Sequence, residues 1–139
     1  VIFVDASAIV AILTEEPEAA VCIEAIEADV ECFTSPIAIF EAALGICRKR
    51  HSSVLEAYED VVQFLAIAGL RELAVEPIDA KAALDAFSRF GKGRGHPAQL
   101  NMGDCFAYAL TARRGAGLLF KGSDFDTTDI RRAIGENTA

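Results

Sequence analysis

The sequence predicts an α/β fold in three layers, α/β/α, with a central parallel sheet of four to five strands. Three observations carry this. Short apolar segments alternate with longer helical ones along the whole chain, which is the order of repeated strand–helix units. The first strand segment, VIFV at residues 1–4, is apolar on both faces, as a sheet covered on both sides requires. The 139 residues are 53% hydrophobic and contain no low-complexity tract, internal repeat or linker. One domain over 1–139 with a full core is therefore expected.

The elements follow in order. Residues 1–4 form a strand that stops at Asp5, and Ser7 is placed to cap a helix running through Leu13. Glu15, Glu16 and Glu18 surround Pro17 at the start of a second helix, where acids suit the positive end of the dipole; it runs to about Ala28. Residues 31–34 form the second strand. Ser35-Pro36 is a cap followed by proline at the first helical position, and this helix runs to about Arg50. Arg48, Lys49 and Arg50 lie at its negative end. Ser52 or Ser53 opens a fourth helix to Ala68, closed by Gly69. Residues 72–77 are the third strand, and Asp79 starts a helix to Phe90. A glycine-rich connection follows, Gly91-Lys92-Gly93-Arg94-Gly95-His96-Pro97. Asn101 caps a helix over 102–114, which Gly115 and Gly117 end. Residues 118–121 form the fourth strand, and a short fifth is expected near 132–134.

Composition excludes several classes. No apolar stretch approaches the ~18 residues of a membrane span, and no secretory signal opens the chain, so a cytoplasmic protein is expected. Val1 stands where an initiator Met would, which points to trimming there. Cys22, Cys32, Cys47 and Cys105 form no CxxC pair, and His51 and His96 are the only histidines. The cysteines are expected to be reduced thiols and not zinc ligands. The net charge of −8 is unevenly spread: residues 1–88 hold 16 acidic and 5 basic side chains, and residues 89–139 hold 5 and 8. A basic C-terminal third on an acidic body hints at an anionic partner on one face.

Chemistry concentrates on four acids. In a doubly wound sheet, functional groups collect where the strands end. Asp5 follows the first strand, and Asp124 follows the fourth. Glu41 and Asp104 sit near the starts of helices that begin at the same edge. Asp5, Glu41 and Asp104 all have apolar neighbours, a setting in which acids are seldom plain surface. Two unit charges ~4 Å apart repel by about 4 kcal/mol at an effective dielectric near 20. Such a group must share protons or bind a cation. Oxygen donors without His or Cys suit Mg²⁺ or Mn²⁺.

Four segments carry a family resemblance: V-D-A-S-A-I-V-A at residues 4–11, I-F-E-A-A at 39–43, N-M-G-D-C-F-A-Y-A-L at 101–110, and L-L-F-K-G-S-D-F at 118–125. Their order and spacing over nearly the full chain resemble the PIN-domain ribonucleases, and specifically the VapC-like toxins of type II toxin–antitoxin pairs. The resemblance implies a Mg²⁺-dependent endoribonuclease that leaves 5′-phosphate and 3′-hydroxyl ends and is silenced by a VapB-like antitoxin. It implies catalytic roles for Asp5, Glu41, Asp104 and Asp124, with Asp5 and Asp104 on the metal. It also implies that Ser7 positions a water on that metal. The family's T-x-D or T-x-N after the fourth strand is absent here, so Asp126 stands as the second choice for the fourth acid, with Ser123 beside it.

Arg89, Lys92, Arg94, His96 and Lys121 are candidates to hold RNA phosphates that the acids would repel. The helix over 54–68 is apolar on more than one side, which suggests a homodimer or antitoxin surface. The antitoxin is expected to lay an apolar helix across residues 8–13 and 54–68 and to reach the acids with a basic side chain. Two other readings stand beside these. A receiver-like phosphoacceptor domain would use Asp79 and Lys121, but it needs adjacent acids after the first strand, where Ala6 follows Asp5. A catalytically inactive PIN-like scaffold is the other. Residues 91–95 lack the GxxxxGK[ST] pattern of a triphosphate loop, and Ser7 breaks the D-x-D pattern of haloacid-type phosphatases.

Overall fold

The computed structural model describes residues 1–134. Four parallel strands, β1 (Ile2–Val4), β2 (Cys32–Thr34), β3 (Arg71–Glu72) and β4 (Gly117–Leu119), lie in the order β3-β2-β1-β4. Six helices surround them: α1 (Ala6–Leu13), α2 (Ala19–Ala28), α3 (Pro36–Arg50), α4 (Val54–Ala68), α5 (Pro77–Phe90) and α6 (Met102–Arg113). Strand alternation divides the core in two. Ile2, Val4, Cys32 and Leu119 pack with α1, α2, α3 and α4. Phe3, Phe33 and Leu118 face the other way, onto α5 and α6. The expected three layers are thus formed.

The chain leaves β1 in one direction to reach β2 and β3, and β4 returns to the other side of β1. The switch point lies between β1 and β4, where a crevice opens beyond the strand ends. The backbone N–H of Asp5 donates to the Leu119 carbonyl at 2.9 Å, which ties the two strand ends together.

Several boundaries differ from the sequence expectation, each for a local reason. Asp5, not Ser7, caps α1: the Ser7 N–H donates to Asp5 Oδ2 at 3.1 Å, so Ser7 lies in the first turn. Helix α2 begins at Ala19, after the 14–18 turn, with Glu18 at its cap position. Strand β3 covers only Arg71–Glu72, because Glu76 caps α5, Pro77 occupies its first turn and Asp79 closes a capping box. Strand β4 ends at Leu119, and the Lys121 N–H turns to Ser7 Oγ instead of a neighbouring strand. The expected fifth strand is a single parallel bridge between Leu118 and Arg132. Gly45 is required where α3 crosses α1: a Cβ there would stand 2.9 Å from Val10 Cγ2. Among the described residues no helix is long and apolar enough to cross a membrane, and the four cysteines are free.

One buried ion pair fastens α5 to α6. Asp79 is 0% exposed and accepts from Arg113 Nε at 2.7 Å and Nη2 at 2.9 Å. It also accepts from the Glu76 N–H at 2.7 Å. Arg113→Met would leave that carboxylate buried without its cation. We expect a loss of about 3–5 kcal/mol in urea unfolding, because an unpaired buried charge carries its full desolvation penalty.

Candidate active site

The crevice beyond β1 and β4 is a pocket of about 400 Å³ lined by Asp5, Ser7, Glu16, Glu41, Gly45, Arg48, Lys49, Asp104, Lys121 and Asp124, with Ala6 and Val10. All four acids expected from the sequence reach it, each from a different element.

Asp5 is the cap of α1 and is buried. Its Oδ2 accepts from Ser7 Oγ at 2.6 Å and from the Ser7 N–H at 3.1 Å. Ser7 Oγ accepts in turn from the Lys121 N–H at 3.0 Å. Ser7 therefore joins the start of α1 to the segment after β4 and fixes the Asp5 carboxylate.

Glu41 lies in the second turn of α3, a helix opened by Ser35 Oγ, which accepts from the Ala38 N–H, and by Pro36 in its first turn. Its carboxylate lies against Gly103. A Cβ at position 103 would stand 2.0 Å from Glu41 Oε2. The space for Glu41 is therefore made by a glycine on α6, next to Asp104.

Asp104 closes a capping box with Asn101. The Asp104 N–H donates to Asn101 Oδ1 at 2.9 Å, and the Asn101 N–H donates to Asp104 Oδ2 at 3.1 Å. The residue is both helix cap partner and pocket acid.

Asp124 is presented by a turn anchored through buried Phe125, whose ring packs on Phe120 at 5.0 Å. Asp126 points elsewhere and pairs with Arg132 at 3.1 Å. Of the two candidates for the fourth acid, only Asp124 lines the pocket.

The carboxylates perturb one another. Burial pushes the Glu41 carboxyl up to about 7, and the charges of Asp5 and Asp104 push the same way. Burial raises Asp104 to about 6; the Asn101 N–H opposes this, and Asp5 and Asp124 add to it. Asp5 is raised by burial against the lowering effect of the Ser7 hydrogen bonds, with Asp124 raising it further. Among the described residues no three His, Cys, Asp or Glu side chains close into a ready ligand set. The donors available in the pocket are all oxygen.

The basic candidates are placed differently. Lys121 lines the pocket. Arg89 is held by Asp129 at 2.8 Å and by the Tyr108 hydroxyl at 3.3 Å. Lys92 and Arg94 are exposed in the 91–100 connection and are not among the pocket residues. His96 Nδ1 accepts from the Ala98 N–H at 3.0 Å, and its ring packs edge-on against Phe90. The sequence reading missed Glu16, Arg48 and Lys49 as pocket residues, and Gly103 as the residue that makes room for Glu41. Arg48 and Lys49 were visible as a basic helix end, about two turns beyond Glu41. Asp79 does not line the pocket, which leaves the receiver-like pairing of Asp79 with Lys121 without a site. Helix α1 presents no apolar surplus, because Ala8, Ile9, Ala11 and Ile12 are buried, so the expected partner contact across 8–13 loses its basis. Helix α4 does expose Val54, Leu55, Tyr58, Val62 and Ile67.

The raised acids set a pH dependence. The ordinary values are 4.5 for Glu41 and 3.8 for Asp104. Between these and the folded values of about 7 and about 6, the folded chain binds more protons than the unfolded one. Stability therefore falls as pH rises through that window, and the contribution is complete only below it. The Glu41 shift corresponds to about 3 kcal/mol at full value; because the site opens to solvent, we expect about 1 kcal/mol. Glu41→Gln without divalent cations should flatten the decline and gain that amount above pH 7, as read by urea unfolding.

The PIN domain family profile matches residues 2–131. A VapC ribonuclease of Rhizobium meliloti is 40% identical over 143 residues, covering 92% of this chain and 98% of that protein. Ribonuclease VapC28 of Mycobacterium tuberculosis is 38% identical over 135 residues, covering 94% and 96%. The fold is similar to the crystal structure of Mycobacterium tuberculosis VapC20, described as a sarcin-ricin loop cleaving toxin. That similarity has a TM-score of 0.75 at 15% identity and covers 94% of this chain and 96% of that one. With its profile match over almost the whole chain and its VapC relatives near 40% identity, the chain belongs to the PIN-domain family, among the VapC-like proteins.

Proposed function

We propose that this protein is a Mg²⁺-dependent endoribonuclease toxin that hydrolyses RNA phosphodiester bonds. The observation that carries the reading is the set of four mutually repelling carboxylates lining one crevice, in a chain whose relatives are named VapC ribonucleases.

The donor set fits a hard divalent ion. All donors are oxygen, and burial and mutual repulsion raise the Asp5, Glu41 and Asp104 carboxyls, a cost that a bound divalent cation would relieve. Asp5 and Asp104 would hold it, with Glu41 or Asp124 completing the acid contacts; water supplies the remaining positions, the usual habit of Mg²⁺. Bound there, Mg²⁺ or Mn²⁺ would neutralise charge on the phosphate and ease deprotonation of an attacking water. The chain's own residues do the rest. Ser7 keeps one oxygen of Asp5 occupied and so fixes its orientation. The Asn101 N–H does the same for Asp104. Glu41, whose carboxyl is raised by burial, lines the same pocket and would accept the proton of the attacking water at its carboxylate. The water oxygen would bond to phosphorus as its proton passes to Glu41, the P–O3′ bond would break, and O3′ would take up a proton from solvent to become a hydroxyl.

A VapB-like antitoxin is proposed as the silencing partner. Its apolar helix would lie in the hollow of about 620 Å³ between α3 and α4, lined by Ile39, Phe40, Leu44, Leu55, Tyr58 and Val62. An arginine from its tail would pair with the acids and compete with Mg²⁺. Homodimer formation is proposed through the apolar surface at Leu84, Phe87 and Met102 between α5 and α6.

Two tests follow. Asp5→Asn and Asp104→Asn should each lower cleavage of total RNA, scored by end mapping with Mg²⁺ and with EDTA, by about two or more orders of magnitude. Mg²⁺ should raise the melting temperature of the parent and leave that of either variant unchanged. Parent-rate cleavage by Asp104→Asn would remove the mechanism.

Gly103→Ala makes a sharper test. Its methyl group must push the Glu41 carboxylate aside, and the end of a flexible side chain moves at little cost. A helical Gly→Ala change adds up to about 1 kcal/mol of helix propensity. Melting temperature should hold or rise while cleavage falls at least tenfold. Loss of both together would mean that the backbone, and not Glu41, had been displaced.

A further inference from the structure

The turn between α1 and α2 carries the sequence Thr14-Glu15-Glu16-Pro17-Glu18. Glu15 adopts φ +55°, a left-handed conformation that costs a non-glycine residue about 1–2 kcal/mol. The Glu16 N–H donates to the Ala11 carbonyl at 2.9 Å, which folds the turn back on α1. The Glu16 side chain is 10% exposed and lines the acid pocket. It does not add to the crowd of acids. One oxygen accepts from Lys49 Nζ at 2.9 Å, and the other from Lys121 Nζ. These contacts hold the Glu16 carboxyl below the usual range, the Lys121 bond foremost.

Lys49 comes from the last turn of α3, and Lys121 from just beyond β4. Two ammonium groups from distant elements meet on one carboxylate beside Asp5. The Lys121 backbone is itself bonded to Ser7, which holds Asp5. The Lys49 and Lys121 side chains are 47% and 37% exposed, and ion pairs reached by that much solvent add little stability, so stability alone does not account for a strained turn that delivers Glu16 here. Backbone strain at such a site points to function. The three groups leave one net positive charge, and Arg48 on the same wall adds another. That is a surface for an anion next to four carboxylates that repel one.

We propose that Glu16 is a positioning residue that sets Lys49 and Lys121 as a two-cation clamp for a backbone phosphate adjacent to the scissile one. The inference rests on the ribonuclease reading and adds to it a phosphate subsite and the residue that orders it. Lysine acts there as a point charge, so its placement must come from a neighbour. Glu16 supplies that placement by holding both ammonium groups against the flexibility of their stems. The clamp counters the long-range repulsion between the acids and RNA, and it keeps the chain in register across them.

The test separates charge from placement. Lys49→Met and Lys121→Met should each raise KM about three- to tenfold and lower the slope of log affinity against log salt by about 0.7. Affinity is measured with a short fluorescein-labelled oligouridylate, in the Asp104→Asn background so that the probe stays intact. Glu16→Gln leaves both cations in place and removes their anchor. It should lower kcat about tenfold and lower KM as well, because the freed ammonium groups bind phosphate more tightly, whereas a loss of folded enzyme would lower kcat and leave KM unchanged. Melting curves accompany every variant, and if Glu16→Gln does not fold, the two lysine variants decide the matter. Glu16→Gln with the parent's kcat, or lysine variants with the parent's salt slope, would overturn the clamp. If the parent cleaves no RNA and Asp104→Asn changes nothing, the ribonuclease reading falls, and the binding slopes still decide the clamp. If the parent cleaves and Asp104→Asn is silent, but the Glu16, Lys49 and Lys121 variants match the parent throughout, the clamp alone falls.

Discussion

Mutual repulsion among carboxylates at the end of β1 is the constraint on which the rest of this structure depends. A chain with 16 acidic residues in its first 88 could have left them all in water. Instead it buries Asp5 and half-buries Glu41 and Asp104 within electrostatic reach of one another, so that two of them titrate near neutral pH. Nothing in packing favours this, since each acid loses hydration and gains a like-charged neighbour. The fold offsets the cost elsewhere. Two apolar clusters clamp the sheet from both faces, and the Asp79–Arg113 pair joins the two helices of one layer.

Small residues make the crowding possible. Gly45 lets α3 approach Val10 of α1, which brings Glu41 toward the helix capped by Asp5. Gly103 then leaves room for the Glu41 carboxylate over the first turn of α6. Hydrogen bonding handles the remaining freedom. Asp5 is oriented by Ser7 and Asp104 by the Asn101 N–H, so each acid is held through one oxygen. Local helix capping and site geometry are thereby the same set of bonds: a change that breaks a cap also releases an acid.

Sequence patterns revealed the layers and the acids for a common reason. Strand order puts functional groups at strand ends and helix starts, so Asp5, Glu41, Asp104 and Asp124 could be placed at one edge without coordinates. Capping chemistry was legible at Ser35-Pro36, Ser53 and Asn101, where a short polar side chain precedes a helical run. It misled at Ser7 and Asp79, because an acid already stood two or three positions earlier, at Asp5 and Glu76, and took the cap. The two-residue β3 carries too little alternation to bound, and Pro77 belongs to the helix beyond it. Glu16, Lys49 and Gly103 were hidden for another reason. Their roles depend on which elements cross, and a positive φ at Glu15 or a vacant Cβ position at Gly103 leaves no mark on composition or periodicity.

The charge asymmetry along the sequence takes a different form in space. Sequence arithmetic placed the cations in the C-terminal third, yet Arg48 and Lys49 of the pocket wall come from the acidic body of the chain. Of the basic residues in the last third, only Lys121 lines the pocket. Arg89 and Arg132 are engaged with Asp129 and Asp126 at the surface, and Arg113 with Asp79 inside. Place in the fold, and not net charge along the chain, therefore decides which cations border the crevice: Lys49 and Lys121 do so while paired with Glu16. The crevice is lined by both carboxylates and ammonium groups within a single opening. On the proposed reading, the ammonium groups draw in a polyanion while a divalent ion neutralises the acids. Raising ionic strength screens the ammonium groups first, since exposed charges are screened more strongly than buried ones. On that reading, affinity for a long anion yields to salt sooner than divalent-ion binding at the acids does.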